Sequence, residues 1–532
     1  MSEVNLAAMA DADKHKKEFK SPTPMQEMDI ALKECKFGLF HVRLLFTAFI
    51  AFIANVLVTT SSAYLLPTAE CDLGMGLVHK GILNAMPYVG MLLSGIFGGF
   101  LTDTFGRRLF LILGYGGTFA STVLAASSQT YEVLITAKFF EGLFFAVSFS
   151  PTISYTSEFC HSKIRDRVML FQSSFIAMAQ VIIAVMSWQL LIQDWTITLF
   201  NGYLEFNNWN IYLSICSLWS LGATILYALL PESPKYLLSQ RKYDEARAVL
   251  VRMYVENTRK PADTYPCGSL WQKQAEDVLH EADEHPEQTG LRHQIVTGLH
   301  NIKPMFQKPL LATLALLCST LFLSMAMYNI IRLWFPQLST IIEHSGMDSN
   351  STGQDLCVLL DNYTQGLKDQ ALTNPAGANH VCTGKPSGTE TYINSIILGS
   401  VCVIPYLISG ILVNKVGKKN MMFCSAVIAI GVTLGLRYSN TKPLVVALFS
   451  IDTAILQIML SLSQAFVIEF FPTTMRTLAI AILMMVGRIG TLLGNVAFPI
   501  LLNMGCVIPF FSMAGVLCVV TVVVVFLPSK KT

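Results

Sequence analysis

Four ionisable side chains sit inside apolar stretches of this chain: Lys138, Glu141, Asp452 and Arg488. An ionised group in hydrocarbon costs about 2.5–3.5 kcal/mol on insertion scales, so each requires a partner or a task. Lys138 and Glu141 are three residues apart and therefore share one helix face. They form either a self-neutralising pair packed inside the fold or a site where one of them meets a solute or a proton. Asp452 and Arg488 lie on neighbouring stretches at similar depth, which predicts an ion pair between them. Asp452 is also the acid set deepest in the second half of the chain, which makes it the proton-carrier candidate there. The uncharged polar residues Asn55, Gln180 and Gln457 fall nearest the middle of their stretches and join these four as candidates for solute binding or coupling. Gln172, Asn329 and Gln464 fit interhelical hydrogen bonds, each worth about 0.6 kcal/mol.

Groups like these need long apolar helices to hold them. The 532 residues are 53% hydrophobic and 14% charged, with a mean hydropathy of +0.51; average soluble domains carry roughly 25% charge. Stretches long and apolar enough to cross a bilayer run at about 44–66, 82–101, 109–127, 133–155, 167–190 and 209–230, then at 309–331, 392–413, 420–438, 444–468, 477–501 and 507–527. The expected fold is an all-α membrane protein of twelve transmembrane helices in two six-helix halves. Its parts are an N-terminal tail (1–43), the first half (44–230), a polar linker (231–308), the second half (309–527) with a long loop at 332–391, and a C-terminal tail (528–532). Arg107, Arg108, Lys163, Arg165, Arg167, Lys415, Lys418, Lys419 and Arg476 follow even-numbered spans, whereas most odd-numbered spans are followed by few basic residues. The excess of Lys and Arg places both tails and the linker in the cytoplasm. In the linker, Tyr243, Ala246, Leu250 and Met253 recur at helical spacing, which predicts an amphipathic helix against the cytoplasmic ends of the bundle.

The charged stop after the second span, Gly99-Phe100-Leu101-Thr102-Asp103-Thr104-Phe105-Gly106-Arg107-Arg108, has a weaker copy in Gly410-Ile411-Leu412-Val413-Asn414-Lys415-Val416-Gly417-Lys418-Lys419. Asn414 stands 311 residues after Asp103, and the same offset relates Glu158 to Glu469 and Arg165 to Arg476. Two motifs in one register indicate a parallel internal repeat, the arrangement in which two halves rock about a central site. Asp103 can meet Arg107 or the positive end of another helix, so Gly99, Asp103, Gly106, Arg107, Arg108, Glu158 and Arg165 form a candidate gate. Asn414, Gly417, Lys418, Glu469 and Arg476 form its degraded copy. The 332–391 loop, expected outside, carries N-glycosylation sequons at Asn350 and Asn362. Cys357 and Cys382 share that loop and are the expected disulfide; the alternative is that one of them pairs with Cys71 or Cys506, or stays free.

The Gly-x-x-x-Asp-x-x-Gly-Arg-Arg stretch resembles the loop motif of the major facilitator superfamily, and Pro231-Glu232-Ser233-Pro234 resembles its sugar-porter and organic-ion branches. Leu66-Pro67-Thr68-Ala69-Glu70-Cys71-Asp72-Leu73, Lys80-Gly81, Tyr88-Val89-Gly90-Met91, Ser157-Glu158-Phe159 and Trp334-Phe335-Pro336 resemble the synaptic vesicle glycoprotein 2 family. That resemblance implies the major facilitator fold, a span 4 that lines the cavity, and a contact of Asp103 with span 11 that closes the cytoplasmic side. It also implies an acid near the middle of span 1, where this chain has Ala54-Asn55-Val56. The expected function is secondary transport of a small organic solute by alternating access, with proton or ion coupling open. The alternative is a transporter-like glycoprotein with a regulatory or partner-binding role. No nucleotide loop, metal-ligand spacing or HExxH marks an enzyme, and no cofactor or nucleic-acid partner is expected. The protein is expected to be a monomer in the plasma membrane or a secretory or synaptic vesicle membrane.

Overall fold

The computed structural model describes residues 24–199, 204–267, 270–271, 307–308, 310–344, 355–373, 386–403, 412, 415–471 and 473–528. The chain divides into two compact units.

The first unit comprises residues up to Leu45, Ser154–Met169 and Leu230–Glu287. It contains helix α1 (Pro24–Glu34), the start of α2 (Leu39–Leu65), the end of α5 (Tyr131–Glu158) and the start of α6 (Ser162–Leu191). Two linker helices, α8 (Pro234–Ser239) and α9 (Tyr243–Thr258), complete it. Helix α8 starts at Pro234 because proline suits the first helical turn, and Ser233 caps it by accepting from the Tyr236 amide at 3.3 Å. On α9, Ala246, Leu250 and Met253 of the expected face are buried, with Val249 and Tyr254 beside them, whereas Tyr243 is half-buried. The N-terminal tail is not featureless. Met28, Ala31, Leu32 and Cys35 repeat at helical spacing and bury one face of α1 and the residue after it. Asn257 joins the pieces, accepting from the Phe40 amide at 3.0 Å and donating to the carbonyls of Cys35 (3.0 Å) and Lys36 (2.9 Å). The Tyr265 hydroxyl donates to the Ala31 carbonyl at 3.0 Å, and burial pushes the neighbouring Cys35 thiol up to about 12. Asp29 accepts from both the amide (2.8 Å) and the hydroxyl (2.7 Å) of Ser162. Burial pushes its carboxyl up, but those bonds and the charges of Lys235 and Arg165 outweigh it and hold the group below its ordinary value.

The second unit holds the bundle. Its first half contains the rest of α2, then α3 (Leu77–Phe105), α4 (Arg107–Ala126), most of α5 and α6, and α7 (Asn208–Leu229). A short antiparallel hairpin, β1 (Ile197–Leu199) with β2 (Leu204–Phe206), joins α6 to α7. The second half contains α10 (Leu310–His344), α11 (Leu356–Thr373), α12 (Thr389–Val401), α13 (Lys418–Arg437), α14 (Lys442–Phe470), α15 (Thr473–Asn503) and α16 (Val507–Phe526). Among the described residues ten helices are long and apolar enough to cross a membrane. Helices α3 and α12 occupy the positions of the second and eighth spans. Each half has its own core, one around Leu134, Trp209 and Tyr212, the other around Leu321, Trp334, Met459 and Leu517. Between them Val58, Tyr88, Met91 and Phe145 pack with Leu333. Helix α3 reaches α5 closely enough that a Cβ at Gly142 would lie on the Pro87 carbonyl.

Three expectations about the second half are corrected. The seventh span does not end at residue 331: α10 continues to His344, through residues assigned to the loop. Leu333, Trp334, Phe335 and Leu338 keep the apolar helical spacing past Arg332 and are buried. The extension brings Glu343 to the start of α12, where it accepts from the Gly388 amide (2.9 Å), the Glu390 amide (3.0 Å) and the Thr391 hydroxyl (2.9 Å). A carboxylate at a helix N-terminus satisfies amides that lack an intrahelical partner. The loop after α10 also contains a helix of its own, α11. Finally, Cys357 is disulfide-bonded to Cys506, 149 residues away, and not to Cys382, which lies outside the described residues. The cause is the docking of α11 on the second half: the Leu356 amide donates to Ser439 at 3.0 Å, and Asp361 accepts from the Cys506 amide at 2.7 Å. Cys71 is disulfide-bonded as well.

Candidate functional site

Between the halves lies a small cavity lined by Thr60 and Tyr64 of α2, Gln180 of α6, Arg332, Phe335 and Pro336 of α10, and Ser395 of α12. Both halves thus contribute polar groups. Its volume is about 30 Å³, room for one or two water molecules. The charged residue in this lining is Arg332, which the span boundary at 331 hid from the sequence reading; the apolar spacing beyond it was the available signal. Its guanidinium lies 5.6 Å from the Tyr328 ring and donates to Asn329 Oδ1 at 3.4 Å. Asn329 also accepts from the Tyr88 hydroxyl (3.2 Å) and donates to Thr491 (2.9 Å), so the arginine sits on a polar network that bridges the halves. Gln180 is the sequence candidate that faces this cavity.

The other candidates lie elsewhere. Lys138 Nζ is 2.8 Å from Glu141 Oε2 and donates to the Ser61 hydroxyl at 2.9 Å, with both charged side chains buried. The pair sits within the first half, where Glu141 borders a second cavity of about 10 Å³ shared with Ser61, Thr122, Cys216 and Ser220. Asn55 donates to the Tyr115 hydroxyl at 2.7 Å, and Tyr115 shares a 2.7 Å bond with Thr152, a network internal to that half. The expected Asp452–Arg488 ion pair does not form. Asp452 accepts from Thr433 at 2.9 Å, toward α13, whereas Arg488 donates to the Met91 carbonyl at 3.2 Å, toward the first half. Adjacent helices share a depth without sharing a face. Gln457 is buried on α14.

The two halves are tied near the start of α3. Lys80 is fully buried and pairs with Glu70 at 2.6 Å; it also donates to the Tyr363 hydroxyl of α11 at 3.4 Å, to which Gln337 donates at 3.3 Å. Asn362, next to that tyrosine, is exposed on α11. Asn350 lies outside the described residues.

The duplicated motif is described in part. Gly106 and Gly417, equivalent in the repeat, adopt φ of +101° and +83° at the start of α4 and α13, a conformation that favours glycine. Arg108 donates to the Ala228 carbonyl at 2.6 Å, and its equivalent Lys419 donates to the Val525 (2.8 Å) and Leu527 (2.6 Å) carbonyls. In both halves the second basic residue therefore caps the last turn of the sixth span, whose carbonyls lack intrahelical partners. Lys418 pairs with Glu469 at 2.7 Å, and Arg165 lies 4.0 Å from Asp29. Gly99 and Asp103 fall on α3 and Arg476 on α15, but their side-chain surroundings, like all of Asn414, lie outside the described residues. Arg107 is at the first turn of α4, and Glu158, at the end of α5, is buried. Among the described residues no His/Cys/Asp/Glu cluster could hold a metal ion.

Two helical halves with a cavity between them, mostly apolar but carrying polar groups from each half, define a multi-pass membrane transporter fold. The family model for sugar (and other) transporters matches residues 43–329, and that for the major facilitator superfamily matches residues 386–532. The chain belongs to the sugar (and other) transporter family of the major facilitator superfamily. Synaptic vesicle glycoprotein 2A of Homo sapiens is 27% identical over 235 residues, 44% of this chain and 32% of that protein. Synaptic vesicle glycoprotein 2C of Mus musculus is 25% identical over 237 residues, with the same coverage of 44% and 32%. The matched stretch thus spans about a third of the length of these relatives. Among solved structures, the partially occluded inward-open xylose transporter XylE from E. coli has a TM-score of 0.61 at 14% identity, covering 92% of this chain and 100% of that one. The nucleoside transporter NupG has a TM-score of 0.56 at 13% identity, covering 92% and 100%. These likenesses are to the fold. The family is one of transporters, not enzymes.

Proposed function

We propose that the chain is a secondary transporter of a small organic solute that works by alternating access of its two halves, with both termini cytoplasmic, in a vesicle or plasma membrane. The observation that carries this reading is the cavity built jointly by α2 and α6 of one half and α10 and α12 of the other. At about 30 Å³ it admits a water or two, so a solute enters only when the halves part, which is the motion alternating access requires. The Glu70–Lys80–Tyr363 tie is then a contact that breaks when the Lys80 end opens, and the Lys418–Glu469 pair belongs to the opposite end. Solute-coupled proton movement would involve the Lys138–Glu141 pair or Asp452, since the described cavity lining holds no acid. The test is uptake into liposomes carrying the purified full chain. Accumulation of a solute above protein-free vesicles supports the reading, and abolition of that uptake by cross-linking the halves through cysteines at positions 84 and 333 identifies the rocking motion.

The absence of an acid in span 1 and among the described lining residues favours a second reading, a transporter-like glycoprotein modified at Asn362 that binds a partner instead of moving solute. Stable, glycosylated protein that shows no uptake of any solute but retains a stoichiometric partner would select it.

A further inference from the structure

We infer that the cavity between the halves is an anion site, with Arg332 as its binding residue and a small organic carboxylate as its ligand class; this rests on the transport reading and names its substrate. Arg332 is the charged group of the lining, and among the described residues no carboxylate lies within ion-pair distance of it. Its neighbours are instead an aromatic face, the Asn329 amide and the Tyr88 hydroxyl. Its Nε is buried with no hydrogen-bond partner. The half-buried guanidinium has no counter-charge, and a carboxylate arriving in the fork geometry supplies both the charge and the missing acceptor for the buried Nε.

A second arginine reinforces the field. Arg488 of α15 approaches Met91 on α3 and, like Arg332, flanks Tyr88; it too lacks a carboxylate partner among the described residues. The acids of the bundle interior are committed elsewhere, Glu141 to Lys138 and Asp452 to Thr433. The cavity therefore presents positive charge, with Tyr64 and Gln180 as neutral polar groups beside it; the Thr60 and Ser395 hydroxyls donate to the Val56 and Thr391 carbonyls and offer the cavity their oxygens. Because Arg332 belongs to one half and Tyr64 and Gln180 to the other, a bound carboxylate contacts both halves together and favours the closed arrangement.

The experiment uses the full chain, purified and reconstituted, with four probes: benzoate, succinate, D-glucose and tetraethylammonium. Thermal stability with each probe reports binding, and liposome uptake reports transport. A carboxylate that raises the melting temperature and accumulates, with its apparent affinity falling on the order of 30-fold or more in Arg332→Gln and less in Arg332→Lys, supports the proposal. Gln180→Ala, which leaves the charge in place, should weaken carboxylate binding without removing it and guards against a misfolded Arg332 variant. Uptake of D-glucose or tetraethylammonium with no carboxylate effect overturns the anion site while transport stands. A carboxylate shift that depends on Arg332 without any uptake keeps the site and overturns transport. No response to any of the four probes overturns the proposal.

Discussion

Replacing Glu141 alone with Gln should be among the most damaging single changes in the first half of the bundle. The side chains of Lys138 and Glu141 are 0% and 1% exposed and lie 2.8 Å apart, and the ammonium also donates to the Ser61 hydroxyl at 2.9 Å. Glutamine keeps a hydrogen-bond acceptor but removes the counter-charge, leaving a buried ammonium next to neutral groups. Breaking one partner of such a pair costs about 3–5 kcal/mol, whereas replacing both by apolar residues of similar size is often close to neutral. The neighbouring cavity of about 10 Å³ is at the lower limit for a single water, so hydration rescues little. The double-mutant cycle of Glu141→Gln, Lys138→Met and the double variant, measured by thermal unfolding of purified protein in detergent, reads this directly. Each single variant should be clearly less stable than the double one. A Glu141→Gln protein within about 1 kcal/mol of wild type, or a double variant worse than either single, refutes the reasoning and would place the pair in contact with solvent.

Mass spectrometry of non-reduced peptides should recover Cys357 linked to Cys506; a Cys357–Cys382 peptide would contradict the docking of α11. Because that bridge spans 149 residues, Cys506→Ser should lower stability by up to about 5 kcal/mol in the loop-entropy limit. Asp29 has its pKa lowered in the folded chain, so its contribution is present above the ordinary carboxylate value of 3.8 and is lost as pH falls through the lower, folded value. Exchange of the Ser162 amide should accelerate over that acid range, and Asp29→Asn should accelerate it at neutral pH and flatten the dependence. Gly142→Ala places a methyl on the Pro87 carbonyl and should cost about 1–3 kcal/mol, read as a lower melting temperature.

The architecture was legible because its signals are local. Runs of about twenty apolar residues mark helices wherever they fall, and the 311-residue offset compares the chain with itself. The glycines at 106 and 417 show the same logic at one residue's scale: each turn needs positive φ, and each copy supplies glycine. What the sequence concealed is pairing. Asp452 and Arg488 match in depth and charge, yet one faces α13 and the other α3, and rotation about a helix axis is not written in depth. Cys357 and Cys382 are near in sequence, but α11 carries Cys357 to the turn before α16. The spacing of Met28, Ala31, Leu32 and Cys35 was visible, but the surrounding lysines and acids made the segment read as a tail.

The boundary at residue 331 had the largest consequence for function. An arginine after some twenty apolar residues has the form of a membrane-edge anchor. Helix α10 instead runs for 35 residues, about 52 Å at 1.5 Å per residue, well beyond the roughly 30 Å hydrocarbon core. Length alone therefore does not fix which part of α10 is embedded; packing does, and Leu333 and Trp334 are buried like the core residues Leu317 and Leu321 before them. With Arg332 counted as loop, the interior held two cations and two acids and favoured no substrate charge. With Arg332 on the cavity wall, and with Asp452 turned away from Arg488, the surplus is positive at the cavity that both halves line. A single residue's assignment thus changes the expected ligand from any neutral or charged solute to an anion, which is why Arg332→Gln against Arg332→Lys is the comparison that tests the fold and the chemistry together.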